Sequence, residues 1–438
     1  MTTRTRISEV LHGVQPSLGC TEPGAIALAC ALARRAVRGE VQQVSVVCDA
    51  NLYRNALCVG VPGTNGLCGI PIAVALGALV GDPDLRLQVL RPVTAGDVRR
   101  AEQLVADGRV HYGVAKGYRG IHIEAEVQAE SGLGRAVIEG NHTGVTEITE
   151  DGQAMPLPDW GRREENSSPS ADSLAGRPLC EVLALADDLL PSEKEYLLEG
   201  MRMNQAAGRV GLAECPGMGH GANMARLMGE GILADDTAGR AAALAAAAAD
   251  ARMSGLRVPV MASGDSGNQG IVATVPIAEV ARELEPDEAT LAYALATSHL
   301  LAAYVKSHIG SVSALCGAYI AAAPGAAAGV IRLLGGDEAA IARAVSLFVG
   351  NVSGVICDGA KTGCAAKVGT AAGIAVRTAY QAMHGVQVSR TDGIVGGTPE
   401  ESIRNLGRLA EEMRAVNAII LEMLVEKRHH ADEETEAA

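Results

Sequence analysis

The stretch I-H-I-E-A-E-V-Q-A-E, residues 121–130, alternates apolar and polar side chains almost without a break. Successive side chains of a strand point to opposite faces, so this pattern predicts a strand with one buried and one wet face. Such strands belong to antiparallel sheets. The same reading extends to V-Q-Q-V-S-V-V-C-D-A, residues 41–50, and to the segment around Arg135–Glu139. Between these lie a glycine-rich loop (V-P-G-T-N-G-L-C-G-I-P, 61–71), an apolar helix and a polar helix at Ala95–Ala106. Upstream, G-C-T-E-P at 19–23 joins a polar turn to the small-residue run Gly24–Val37, and Pro23 suits the first turn of a helix. The opening third is therefore expected to be an α+β module.

The rest reads differently. Residues 150–178 are rich in Pro, Ser, Gly and Glu and read as a polar linker. From 180 to about 425 nearly everything reads as helix, A-A-A-L-A-A-A-A-A-D most clearly. Glycine-rich loops are expected at 217–223 and 262–270, and a frayed, charged tail at Glu426–Ala438. The predicted class is α+β: an N-terminal α+β domain with antiparallel strands (1–149), the linker (150–178) and a mainly α-helical domain (179–438).

Composition excludes several functions. A net charge of −14 leaves no basic footprint for nucleic acid. One Trp, one Phe and eight Tyr offer little for base stacking. With so few aromatics and 52 glycines, the core must pack small aliphatic side chains at close range. Met1–Gly13 carries no apolar secretory core, so a cytoplasmic protein is expected. The most apolar run, Ser311–Ile331, is read as a buried helix pair broken at Pro324 rather than as a membrane span. In a reducing compartment, ten cysteines suit ligands, catalytic thiols or core positions better than disulfides.

Three of them, Cys316, Cys357 and Cys364, sit beside glycines and small residues in the helical half. Iron–sulfur clusters need thiolates and close backbone approach; small core cysteines look the same in sequence, and C-x6-C alone does not choose. Three thiols would leave one iron of a cluster open as a Lewis acid. Cys20 precedes a helix start, where the helix dipole lowers a thiol pKa; this suits a base or nucleophile, while Glu22 doubles as an N-terminal charge cap. G-D-S-G at 264–267 lacks the context of a serine nucleophile. With Ser266, Asn268 and Gln269 it reads as a loop for a carboxylate, or as a plain interhelical connection. His142, His220, His299 and His308 read singly as structural, and no zinc or nucleotide motif occurs.

Six stretches occur in order from end to end: G-C-T-E-P-G-A-I-A-L-A, Y-R-N-A-L-C-V-G-V-P-G-T, G-I-P-I-A-V-A-L-G-A, I-E-G-N-H-T, A-S-G-D-S-G-N-Q-G-I and I-C-D-G-A-K-T-G-C-A-A-K. In them the chain resembles the L-cysteine desulfidase family (YhaM-type, UPF0597), distant relatives of the iron–sulfur L-serine dehydratases. The resemblance implies a [4Fe–4S] enzyme that eliminates the β-substituent of a small L-amino acid. It implies Cys316, Cys357 and Cys364 as cluster ligands and Cys20 as catalytic base. Substrate contacts are expected at Ser266, Asn268, Gln269, Asn141, His142 and Thr143. L-cysteine would yield hydrogen sulfide, pyruvate and ammonia. L-serine, a modified cysteine, or a non-catalytic cluster sensor or binding module are the other readings. Lys361 and Lys367 either offset charge near a cluster or lie on a solvated face. Asp265 departs from the neutral loop the resemblance leads one to expect, and bears on substrate choice. The partner expected is a small amino acid, with neither nucleic acid nor membrane; a homo-oligomer is compatible with the sequence.

Overall fold

Val44, Val46 and Cys48 turn inward along one strand while Gln43, Ser45 and Val47 turn away, and the main sheet is built around that strand. The computed structural model describes residues 7–10, 13–115, 117–118, 120–161, 174–310 and 313–436. Among these the strands are β1 (Pro16–Leu18), β2 (Val41–Cys48), β3 (Val110–Val114), β4 (His122–Ala129), β5 (Gly132–Glu139), β6 (Val145–Glu150), β7 (Gln153–Ala154) and β8 (Pro259–Met261). Six form one sheet in the order β3-β2-β4-β5-β6-β7, antiparallel except at its β3 edge. The alternation at 121–130 does what its period dictates. Ile123, Ala125, Val127 and Ala129 are buried, while Glu124 on the other face pairs with Arg135 at 2.7 Å. Strand β3 runs parallel to β2, Val44 opposite Val110 through Cys48 opposite Val114, and was not legible in the sequence.

The helix Thr21–Ala36 lies over the buried face of this sheet, beside the apolar helix Ile70–Val80. Contact is at backbone range: a Cβ on Gly134 would stand 2.0 Å from the Ala33 carbonyl oxygen, and one on Gly77 2.4 Å from that of Ala27. The polar helix Ala95–Ala106 forms as expected, closed by a reciprocal Thr94–Asp97 capping box.

The second core is helical. Its axis is the alanine-rich helix Thr237–Met253, packed between Pro191–Glu214 and Cys364–Met383. Ile7 and Val14 belong to this core, and β1 pairs with β8 rather than with the main sheet.

Four expectations change. The glycine-rich segments near 217 and 262 are shorter as loops than predicted, because helices already begin at His220 and Gly267. The apolar run is not broken at Pro324. One π-helical stretch, Ala318–Ala322, passes directly into the helix Ala323–Leu333, so Pro324 lies within a continuous helix, just past the shift from π to α hydrogen bonding. Ser311 and Val312, at the start of that run, lie outside the described residues, as does most of the expected linker, 162–173. The tail is helical from Arg414 to Glu436 rather than frayed. Among the described residues no helix is long and apolar enough to cross a membrane.

Gly211 gives a test of the close packing. A Cβ there would meet the Ala247 carbonyl oxygen at 1.9 Å, whereas one on Gly229 would meet nothing within 4 Å. Gly211→Ala is expected to lower stability by about 1–3 kcal/mol through overpacking. Gly229→Ala should change it by less than about 0.5 kcal/mol. Chemical denaturation of both variants checks this, and equal effects would refute the backbone-range contact.

Candidate active site

A cavity of about 110 Å³ lies where the two cores meet, a space for a small molecule and not for a peptide or nucleotide. Its lining includes Cys20 and Glu22 from the first long helix, Arg252 from the end of the alanine-rich helix, and Cys316, Cys357 and Cys364. Ser266, Asn268, Gln269 and His142 also line it. Asn141 and Thr143 do not: the Asn141 Oδ1 accepts from the Thr143 N–H at 3.0 Å, and the pair shapes the turn that carries His142.

The thiol wall is made by one isolated antiparallel bridge, Leu315 opposite Ile356. Around it the Cys316 N–H donates to the Val355 carbonyl at 2.8 Å and the Cys357 N–H to the Ala314 carbonyl at 2.7 Å. Cys364 opens the helix Cys364–Met383. Lys367 donates to Asp358 Oδ1 at 2.6 Å and to the Ile356 carbonyl at 2.9 Å, and Lys361 pairs with the same carboxylate. Burial raises the Asp358 carboxyl, but the two lysines outweigh it and hold it at about 2. Of the two lysines, Lys367 lines the cavity. Burial, then the neighbouring Cys357, pushes the Cys316 thiol up to about 12, and burial also raises Cys364. Arg54, buried and unremarked in the sequence reading, brings Nη2 to 3.9 Å from the Cys357 sulfur.

This donor set fits an iron–sulfur cluster. Among the described residues no three His, Cys, Asp or Glu side chains are arranged to hold a single ion. A cluster instead takes one thiolate per iron, from thiols distributed around a cavity wall. Its binding would displace the thiol protons, and Arg54 and Lys367 stand where thiolate charge would appear.

Opposite stands Cys20. It is the N-cap residue of the Thr21–Ala36 helix, yet its pKa is raised well above the ordinary thiol value, contrary to the lowered value expected. Burial is the main cause and the Glu22 carboxylate the second. A helix terminus offers about 0.3–1 kcal/mol to an anion, too little to compensate. The thiol donates to Glu22 Oε2 at 2.9 Å, and the Asn55 amide donates to Glu22 Oε1 at 2.9 Å. Burial raises Glu22 too, but His142, the Cys20 thiol and Arg252 outweigh it and keep the carboxyl below its usual range. His142 is 4% exposed, and among the described residues neither ring nitrogen has a partner.

The third wall is the turn Ser263–Ser266, closed by reciprocal backbone bonds of 3.1 Å. Asp265 sits at φ 62°, a left-handed position that Asp tolerates better than most residues. Ser266 begins the helix Gly267–Leu284 without capping it, which leaves its hydroxyl uncommitted to the helix. Asn268 and Gln269 are therefore first-turn residues rather than loop residues. Arg252 donates to Asn268 Oδ1 at 2.9 Å. Sequence reasoning missed Arg252 and Lys306; their signal was a basic residue inside an otherwise small or apolar helical run.

The chain matches the serine dehydratase alpha chain family over residues 87–422. It is 38% identical over 427 residues to a UPF0597 protein of Desulfatibacillum aliphaticivorans, covering 96% of this chain and 97% of the relative. It is 40% identical over 422 residues to one of Desulforapulum autotrophicum (94% and 96%), and 35% over 414 residues to one of Clostridioides difficile (94% and 97%). The chain belongs to the UPF0597 family, within the serine dehydratase alpha-chain group. That group is of lyase type, and the thiol wall lies inside the matched region.

His299 supports the turn from behind, with Nδ1 2.9 Å from Ser263 Oγ. Full burial lowers its pKa from 6.5 to about 4. The unfolded chain therefore takes up this proton first. Stability from this residue is complete above about pH 6.5 and is lost as pH falls towards 4, about 3 kcal/mol in all. His299→Gln should flatten the stability–pH profile across that window, as measured by urea midpoints. An unchanged profile would remove His299 as its source.

Proposed function

We propose that this protein is a [4Fe–4S]-dependent β-eliminating lyase that converts L-cysteine to hydrogen sulfide, pyruvate and ammonia. The observation that carries this reading is one small cavity with three thiols on one wall and a thiol–carboxylate couple on another. Cys316, Cys357 and Cys364 would hold the cluster. When bound, it supplies a Lewis-acidic iron that makes the β-substituent a better leaving group, so no pyridoxal phosphate is needed.

The remaining chemistry belongs to the chain. Cys20 is the proton-carrying group beside the substrate. Because its thiol is protonated in the resting site, it can take the α-proton only after giving up its own. Glu22, hydrogen-bonded to it at 2.9 Å, is the acceptor within reach. The free thiolate expected from the sequence is thus replaced by a Cys20–Glu22 couple. Loss of the α-proton and of the β-sulfur leaves aminoacrylate, whose imine form hydrolyses to pyruvate and ammonia. Ser266 and the first turn after it face the substrate's polar groups.

The family match favours a second reading, L-serine as substrate with water as the leaving group. A cluster sensor or idle binding module has no need of a thiol–carboxylate couple across the cavity from the ligand thiols.

Anaerobically reconstituted protein should release sulfide from L-cysteine; activity on L-serine alone would select the second reading, and activity on neither would refute both. Cys316→Ala, Cys357→Ala and Cys364→Ala should each lose bound iron, while Cys30→Ala, in the core away from the cavity, keeps it. Cys20→Ala should keep its iron and colour but lose at least about a hundredfold in kcat.

A further inference from the structure

We propose that Arg252, backed by the first turn of the Gly267–Leu284 helix, anchors the α-carboxylate of the substrate; this rests on reading the cavity as an amino-acid site. The guanidinium is 2% exposed and lines the cavity. Its contacts are all neutral: Asn268 Oδ1 at 2.9 Å, Thr21 Oγ1 at 3.3 Å and Met253 Sδ at 3.3 Å. Among the described residues its Nε has no partner and no carboxylate lies within 4.0 Å of it. Arginine does not lose its proton in proteins, so this is a buried positive charge with no carboxylate in direct contact; Glu22 acts on it only at longer range.

The helix start supplies the rest of the clamp. Among the described residues nothing accepts from the backbone N–H groups of Gly267, Asn268 or Gln269, the unsatisfied donors of a helix N-terminus. Gly267 is what allows the guanidinium to lie against them, since a Cβ there would stand 2.4 Å from Arg252 Nε. A planar fork beside converging N–H groups matches the two oxygens of a carboxylate.

The other buried cations are less suited. Arg54 does not line the cavity and sits beside the Cys357 sulfur. Lys306 does line it, but it offers a point charge without a planar fork and faces the carboxylate of Asp265 as well as that of Glu22. Arg252 also fixes orientation. Its bond to Thr21, the neighbour of Cys20, sets the carboxylate on the side of the cavity where Cys20 stands. The Ser266–Gln269 segment that the sequence pointed to is thus half of the site: the Asn268 amide oxygen accepts from Arg252 and holds the guanidinium in place.

L-alanine, which has no leaving group at the β-carbon, is the probe, and L-alaninamide, which lacks the carboxylate, is its control. Reconstituted wild-type protein should be stabilised against heat by L-alanine, with at least about tenfold tighter binding than L-alaninamide. Arg252→Gln should lose that preference, and Arg252→Lys should keep part of it because the charge remains without the fork. Gly267→Ala, which presses on the guanidinium, should weaken L-alanine binding even if Arg252→Gln fails to fold. The proposal is overturned if wild-type protein binds neither probe or both equally. It is also overturned if Arg252→Gln, or Gly267→Ala where the former does not fold, binds L-alanine within twofold of wild type. Wild-type protein that binds L-alanine through Arg252 but consumes neither L-cysteine nor L-serine would refute the elimination chemistry and leave the carboxylate site standing.

Discussion

The pairing of β1 with β8 is the contact on which the cavity depends. Its three residue pairs, Pro16 with Met261, Ser17 with Val260 and Leu18 with Pro259, join segments far apart in the chain. The ladder continues as Ala262 N–H donates to the Gln15 carbonyl at 2.9 Å and Asp265 N–H to that of Gly13 at 3.0 Å. Cys20 emerges at one end and the Ser263–Ser266 turn at the other. Closing so long a loop costs only slightly more than closing a shorter one, because the entropy grows with the logarithm of length. Two further bonds, Gly60 N–H to the Met253 carbonyl and Gly63 N–H to the Gly255 carbonyl, both 3.1 Å, clamp the glycine-rich loop onto the end of the alanine-rich helix. Together they fix the wall bearing Cys20 relative to Arg252 and the Ser263–Ser266 turn.

Burial then sets the chemistry. In a site with little water, each charge is felt strongly by its neighbours. Glu22 stays ionised because His142, Cys20 and Arg252 surround it, and the same carboxylate helps keep the Cys20 proton in place. A histidine with two nitrogens unpartnered among the described residues, and a buried arginine with no carboxylate in direct contact, are costly in a finished core. Both face one cavity, where a bound molecule would recover that cost. Close packing makes the arrangement feasible. Gly317 leaves room for the Gln269 amide, which a Cβ would meet at 2.6 Å, and Gly267 leaves room for Arg252.

Much of this was written locally. The strict alternation at 121–130 determined a half-buried strand, and the Thr94–Asp97 spacing closed the helix at Ala95. Side-chain period, capping and propensity act within a few residues, so the sequence by itself determined them. Tertiary structure decided the rest: β3 joined the sheet in parallel, and Pro324 was absorbed within a continuous helix beside a π-helical stretch. The Cys20 thiol rose in pKa instead of falling, and Arg252 was carried 231 positions along the chain to meet Thr21. Desolvation and Coulomb interactions depend on which distant groups are brought together and how much water is excluded with them. Neither quantity exists until the chain has folded.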